Sequence, residues 1–155
     1  MPTPVVVDAR RTPQGKEDGV YADVRSEDLS VVVIEQLLED TGVDGSTVDD
    51  LVWGCAQQRS EQGNNLARVI SLVSSLGEDV PGTTVNRWCA SSAESVMRAA
   101  DAIAAGQRDV LIAGGVESMS RVKMGENTGE VHPRLAEQYD LGELMMGMTA
   151  EKVAE

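Results

Sequence analysis

Short apolar runs of strand length alternate along this chain with segments of helical periodicity. Four such runs can be distinguished, at residues 5–13, 50–57, 83–88 and 110–114. Between the runs, apolar residues recur at helical spacing in segments that end at glycines, namely Gly42, Gly77 and Gly106. Strands and helices that alternate with short links indicate βαβ units. The alternation therefore predicts a layered α/β fold with a mainly parallel sheet.

Two further segments refine this prediction. The helix that follows Cys89 is rich in alanine and serine and nearly lacks charge on one side. Such a helix is typically buried on several faces, so we expect sheets or helices to pack on both sides of it. Residues 121–142 form a charged, glycine-containing excursion, and residues 144–153 are expected to form another helix or a pocket wall.

Cys89 stands at the junction between the third predicted strand and the helix after it. Free backbone N–H groups and the positive end of the helix macrodipole converge at such a junction. This environment favours the thiolate form of a cysteine, which is the nucleophilic form. The pattern predicts a nucleophile at Cys89, and the alternative is a small buried hydrophobic residue. Cys55 lies within a predicted strand, and we expect it to pack in the core.

The composition excludes several classes of partner. A net charge of −13 with only three lysines argues against nucleic-acid binding, which depends on Lys and Arg at phosphates. An acidic, lysine-poor surface is typical of proteins from a high-salt cytoplasm, and also of many mesophilic proteins. No apolar run is long enough to span a membrane, and no secretory signal is visible. Two cysteines make no disulfide framework, so we expect a cytoplasmic protein.

Metal and dinucleotide sites are not expected. His132 is the only histidine, and its loop-like context predicts a surface residue rather than a catalytic base. One histidine and unclustered cysteines leave no metal site. Gly114 and Gly115 follow a strand, but the glycine-rich fingerprint of dinucleotide sites does not follow them.

Four motifs resemble the thiolase family in their order and spacing. They are VDARRTPQG near the start, VPGTTVNRWCASS around Cys89, AGGVESMS after the fourth strand, and MGMTAE near the end. The resemblance implies the N-terminal half of a thiolase-like layered fold, with a mainly parallel sheet between helices. Residues 1–120 would be the N-terminal α/β domain without its last strand. Residues 121–155 would begin the loop domain that covers the substrate.

The resemblance also implies a chemistry, which is the reversible Claisen condensation and thiolytic cleavage of 3-ketoacyl-CoA. Cys89 would accept the acyl group, and its own N–H, with those near it, would form an oxyanion hole. Met146 matches a position that lines the pantetheine and acyl pocket, and Met145 stands where relatives often have a histidine. The substrate would be a coenzyme A thioester, and no separate cofactor would be needed.

The chain departs from the family pattern in two respects. Ser92 and Ala93 stand where relatives usually have glycine and leucine after the nucleophile. The motifs that carry the histidine base and the second cysteine, built around Asn-Glu, Gly-His-Pro and Cys-x-Gly, are absent from these 155 residues. Turnover would therefore need the C-terminal half of a thiolase in the same or another chain, and the chain alone would be inactive. We also expect a homo-oligomer.

Two alternative functions stay open at this point. The sequence CASSA also resembles the β-ketoacyl synthases, which use a cysteine on the same kind of turn. A non-catalytic split or truncated thiolase-like partner is the other alternative. Three residues are expected to act structurally. Glu117 is expected to be a buried carboxylate that orders loops around the nucleophile, and the alternative is a surface acid at the end of the strand. Asn86 and Arg87 are expected to fix the turn or a subunit contact.

Overall fold

The computed structural model describes residues 2–126 and 129–155. The chain divides into two compact units, Met1–Met124 and Gly125–Glu155. The first unit contains every strand of the described chain and the candidate nucleophile. The second unit contains only short helices among its described residues.

A three-stranded parallel sheet forms the centre of the first unit. The strands are β1 (Asp50–Gly54), β2 (Gly82–Val85) and β3 (Leu111–Gly115). Their order is β2-β1-β3, and β1 pairs in parallel with both neighbours. The three carboxyl ends therefore lie at one edge of the sheet, where Gly54 is in register with Val85 and with Gly115.

Helices cover both faces of the sheet. They are α1 (Ser26–Thr41), α2 (Leu66–Val73) and α3 (Ser91–Ala104). The main core joins α1 and α2 to one face of β1, and it includes Ile34, Leu51, Trp53, Leu66 and Ile70. Alternate residues of β1 point to the other face. There the backbone of Gly54 meets the start of α3. The predicted layered α/β architecture is confirmed.

The predicted strand over residues 5–13 is wrong for this structure. No regular secondary structure is assigned from residue 2 to residue 16, and Val5, Val6 and Val7 are 74–80% exposed. A cavity of about 1210 Å³ lies between this segment and the surface formed by α1, α3 and β3. A strand exists only when its backbone groups pair with a neighbouring strand. The cavity separates this segment from β3, so the backbone of the segment cannot pair with that strand.

The prediction that α3 is buried on several faces is also wrong for the described chain. One side of α3 packs on β1 and β3, where Ser95 and Ala99 are buried. The opposite side carries Val96 and Met97, which are 47% and 52% exposed. The reason is that no second layer covers this side of α3 among residues 2–126.

The second unit contains α4 (Pro133–Gln138) and α5 (Met146–Ala154). The helix α4 lies within the predicted excursion over residues 121–142, and α5 overlaps the helix expected at residues 144–153. No helix in the described parts of the chain combines the length and the apolar character needed to cross a membrane.

Candidate active site at the Cys89 turn

Five residues, 86–90, connect the end of β2 to the start of α3, and Cys89 lies in this connection. The Asn86 Oδ1 atom accepts a hydrogen bond from the Trp88 N–H at 2.8 Å. The Ser91 Oγ atom accepts from the Arg87 N–H at 2.8 Å and donates to the Trp88 carbonyl oxygen at 2.6 Å. These bonds close a tight turn that holds Cys89 exposed, two residues before the first helical residue.

The backbone of this turn passes through a conformation that most residues avoid. Trp88 has a φ of 48°, which is in the left-handed region. A bulky side chain there costs about 1–3 kcal/mol and persists only where surrounding contacts enforce it. The side chains of Asn86 and Ser91 supply such contacts, because both bond to the backbone of Trp88.

Because Gly54 at the end of β1 has no side chain, α3 packs closely against the sheet. This contact fixes the position of the turn that precedes α3. A Cβ atom at residue 54 would lie 2.5 Å from the Ser92 nitrogen and 2.6 Å from the Ser91 carbonyl oxygen. The contact is between backbones, so it fixes where α3 begins. Ser92, which stands where the resemblance predicts a glycine, is exposed and helical, and its backbone conformation suits any residue.

An ion-pair group ties the turn to the first turns of α3. The Glu94 carboxylate is 2.7 Å from the Arg87 Nε atom and 2.8 Å from the Arg98 Nε atom. The hydrogen bond from Arg87 lowers the pKa of Glu94 most strongly, and the charge of Arg87 and the bond from Arg98 add to it against the effect of desolvation. Glu94 therefore holds Arg87 on the surface beside Cys89.

This arrangement predicts a pH dependence of stability. The Glu94 carboxyl has a pKa below its usual 4.5 in the folded chain. Its contribution to the free energy of unfolding is therefore present above pH 4.5 and is lost as the pH falls through the lower folded value. Arg87→Gln should reduce this loss of stability at acidic pH more than the matched substitution Arg98→Gln does. Urea unfolding at a series of acidic pH values measures the loss. Equal effects of the two substitutions would contradict the assignment.

Behind the turn, a group of polar residues joins the loops after β1 and β3. The side chain of Gln62 is fully buried, and its Nε2 atom donates to Glu117 Oε1 at 2.6 Å and to the Gln57 carbonyl oxygen at 3.0 Å. The Glu117 Oε2 atom accepts from the Ala56 N–H at 2.9 Å. Glu117 is exposed as a residue, so its carboxylate orders these loops from the surface and not from a buried position.

Cys55 packs in the core, as predicted. It is 1% exposed, and burial, followed by the charge of Glu117, raises the pKa of its thiol to about 12. Its side chain also lies 3.4 Å from the Gln62 Nε2 atom. The two cysteines therefore differ sharply in access, since Cys89 is exposed.

This difference predicts one reactive thiol in the folded chain. A chromogenic disulfide reagent should titrate Cys89 alone under native conditions, and both thiols after denaturation. Cys89→Ala should show no fast thiol when folded, and Cys55→Ala should keep it. Rapid reaction of two thiols in the native chain would contradict the burial of Cys55.

The remaining predicted residues lie in the second unit. His132 is exposed and accepts a hydrogen bond at Nδ1 from the Arg134 N–H at 3.2 Å, at the start of α4. Met145 and Met146 lie at the start of α5, each 67% exposed. The assignment of Met146 to an acyl pocket stays a prediction. Among residues 2–126 and 129–155, no group of three or more His, Cys, Asp or Glu residues could hold a metal ion.

Sequence reasoning missed three residues that position the site, namely Gly54, Gln62 and Ser91. Gly54 carried a signal, because a glycine at the end of a buried strand marks close approach of another backbone. Ser91 follows Cys89 at the start of a predicted helix, where a serine is a usual partner of free N–H groups. Gln62 lies in a polar loop, and nothing in its sequence context indicated burial.

Comparisons with known proteins show which family the chain belongs to. Residues 4–155 match the family model described as the thiolase N-terminal domain. A 3-ketoacyl-CoA thiolase from Marinomonas sp. (strain MWYL1) is 42% identical over 153 residues, which are 97% of this chain and 39% of that protein. The 3-ketoacyl-CoA thiolase of Erwinia tasmaniensis is 43% identical over 152 residues, with the same coverage of 97% and 39%.

A solved structure gives the same result. The crystal structure of the Bacillus anthracis acetyl-CoA acetyltransferase is similar with a TM-score of 0.66 and 30% identity, over 76% of this chain and 32% of that chain. The chain belongs to the thiolase family. It spans about two fifths of the length of the curated relatives it matches, at 39% of each.

Proposed function

We propose that this chain is the nucleophile-bearing part of a thiolase-type acyltransferase, with Cys89 as the residue that accepts the acyl group. The observation that carries the proposal is the position of Cys89. It is exposed in a backbone-strained turn directly before α3, and the chain belongs to a family whose curated relatives are named 3-ketoacyl-CoA thiolases. A core cysteine would be buried, as Cys55 is.

The proposed thiolytic reaction has two halves. The Cys89 thiolate attacks the 3-keto carbon of a 3-ketoacyl-CoA, and the bond between carbons 2 and 3 breaks. Acetyl-CoA leaves as its enolate and takes a proton, and the shortened acyl group stays on the Cys89 sulfur. The thiol of a second coenzyme A then attacks this thioester, loses its proton and releases acyl-CoA and the free cysteine. Condensation is the reverse of these steps, and the reaction calls for no separate cofactor.

The turn supplies part of the stabilisation that this reaction needs. Negative charge develops on the carbonyl oxygen of the substrate during the attack, and a backbone N–H at that point stabilises it. The turn's own hydrogen bonds engage the N–H groups of Trp88, Ala90 and Ser91. We therefore assign the Cys89 N–H to the oxyanion.

A base for Cys89 and an acid for the enolate must come from elsewhere. Cys55 cannot act as the second cysteine, because it is buried and its pKa is raised to about 12. We propose that the C-terminal half of a thiolase, in the same or another chain, supplies both groups. In this account residues 121–155 begin the loop domain, Met146 lines the acyl pocket, and the working protein is a homo-oligomer.

The test is acyl transfer to the 155-residue chain itself. Acetyl-CoA should slowly acetylate Cys89 and release free coenzyme A, and digestion with mass spectrometry should find the acetyl group on the Cys89 peptide. Cys89→Ala should abolish the label, and Cys55→Ala should retain it. A label that survives Cys89→Ala would exclude this function and favour a non-catalytic partner. So would the absence of a label on Cys89 both in the folded chain and in its complex with an added C-terminal portion of a thiolase. Preference for a malonyl donor would favour a β-ketoacyl synthase.

A further inference from the structure

A continuous set of hydrogen bonds runs from the loop after β3 to the Cys89 turn. The Glu117 Oε2 atom accepts from the Ala56 N–H at 2.9 Å. The carbonyl oxygen of the same residue, Ala56, accepts from the Asn86 Nδ2 atom at 3.0 Å. The other end of the Asn86 amide accepts from the Trp88 N–H at 2.8 Å. The first two links join separate segments of chain and the third closes the turn, so Glu117 is connected to the residue before Cys89 through the backbone of Ala56 and the side chain of Asn86.

The middle of this connection has no regular structure of its own. Residues 55–58 follow β1 without belonging to a helix or a strand. Their position is set by Glu117, which bonds to the Ala56 N–H, and by Gln62, which bonds to the Gln57 carbonyl oxygen at 3.0 Å. Gln62 is fully buried and bonds to Glu117 as well. The segment is thus fixed from both sides, and its Ala56 carbonyl can serve as a rigid support.

The other end of the connection acts on a strained residue. Trp88 keeps a φ of 48° in the position directly before Cys89. A conformation of this kind relaxes when the contacts that enforce it are removed. The Asn86 amide enforces it only while the amide is itself oriented, and the Ala56 carbonyl supplies that orientation. Loss of either link would let Cys89 and its N–H move relative to a bound thioester.

We propose that Asn86 and Glu117 are positioning residues that act through the backbone of Ala56 to hold Cys89 and its N–H in the geometry that acyl transfer needs. The proposal rests on the proposed role of Cys89 as the acyl acceptor. Neither residue touches the reacting atoms in this account. Their effect is on the placement of the sulfur and the oxyanion donor, which acyl transfer requires together and simple alkylation does not.

Two substitutions break the connection at different places. Asn86→Ser keeps a hydroxyl that can accept from the Trp88 N–H but is too short to reach the Ala56 carbonyl. Glu117→Gln turns one acceptor oxygen into an NH₂ group, which must face either the Ala56 N–H or the Gln62 amide. Glu35→Gln is the matched control, because Glu35 also accepts a backbone N–H from a distant loop, that of Ser75 at 2.7 Å, between α1 and the end of α2.

The experiment measures two rates at Cys89 in the 155-residue chain, acetylation by acetyl-CoA and alkylation by iodoacetamide. Each of the two substitutions should slow acetylation about tenfold, since small misplacements of reacting groups have effects of this order or larger. Alkylation should stay unchanged, because a small reagent needs no oriented oxyanion donor. The double variant should be no slower than the slower single one, since both act along one path. Glu35→Gln should change neither rate.

The contrary outcomes separate the two proposals. If Cys89 takes no acetyl group either in the wild-type chain or in its complex with an added C-terminal portion of a thiolase, the proposed function fails and the positioning role fails with it. If the wild-type chain is acetylated and the variants keep its rate, only the positioning role is overturned. It is also overturned if acetylation and alkylation fall together, which would indicate general loosening of the turn, or if the effects of the two substitutions multiply.

Discussion

Gly54→Ala is expected to lower the free energy of unfolding by about 3 kcal/mol, the upper range for overfilling a packed interior. The added Cβ atom would lie 2.5 Å from the nitrogen of Ser92 and 2.6 Å from the carbonyl oxygen of Ser91. Both are backbone atoms at the start of α3, so no side chain can rotate out of the way. The helix or the strand must shift, and urea unfolding measures the cost.

The same substitution should also slow acetylation of Cys89, because the displaced helix carries the turn with it. Gly147→Ala is the matched control, since a Cβ atom there meets nothing within 4 Å and the residue lies inside α5. Alanine is favoured over glycine in helices by about 1 kcal/mol, so this variant should be neutral or more stable. A stability loss in Gly54→Ala no larger than that of the control would contradict the packing described for β1 and α3.

Addition of the C-terminal portion of a 3-ketoacyl-CoA thiolase is expected to give the chain thiolase turnover. Under the proposed function, the added portion supplies the base and the acid that act with Cys89. General acid–base groups contribute about 10²–10⁴-fold each, so thiolysis of acetoacetyl-CoA should rise at least a thousandfold above that of the 155-residue chain. The assay follows the loss of acetoacetyl-CoA after co-expression and co-purification of the two segments.

The added portion should also change the N-terminal segment. The valines at residues 5–7 are 74–80% exposed beside a cavity of about 1210 Å³, and amides in such a segment exchange rapidly. A partner that fills the cavity should protect residues 2–16 in hydrogen exchange. Partners made with alanine in place of the Gly-His-Pro histidine should give the protection without the activity. Activity that survives Cys89→Ala in the complex would refute the role of this residue.

The elements set by local interactions could be predicted from the sequence. The glycines Gly42 and Gly106 follow the ends of α1 and α3 closely, each with a φ of 68°, as the local sequence predicts. The predicted end at Gly77 is wrong, because α2 already ends at Val73. The three paired strands were expected for the same reason, because each is a short apolar run between such helices. Cys89 could be placed at a strand-to-helix junction by its neighbours alone.

The elements that depend on distant partners could not be predicted in this way. The run at residues 5–13 has the composition of a buried strand, but a strand needs a neighbour, and none is within reach of it here. The exposure of one side of α3 has the same cause. Its apolar residues are suited to packing against a further layer, which the described chain does not contain. The burial of Gln62 depends on Glu117, which is 55 residues further along the chain.

The ordering role of Glu117 could be predicted in kind but not in detail. Its position after the last strand suggested a carboxylate that orders loops near the nucleophile. The structure adds which groups it binds, namely the N–H of Ala56 and the side chain of Gln62. It also corrects the expected burial, because Glu117 is exposed and acts through its hydrogen bonds. Sequence patterns report the type of a residue, whereas such bonds depend on the final fold.

The most direct test is to trap the covalent intermediate in the complex with an added C-terminal portion. Acetoacetyl-CoA is mixed with the complex, the reaction is stopped with acid during turnover, and the digested protein is analysed by mass spectrometry. The account predicts an acetyl group on Cys89 that disappears when excess coenzyme A is added before the acid. An acyl group on another residue, or turnover without any acyl-Cys89, would contradict it.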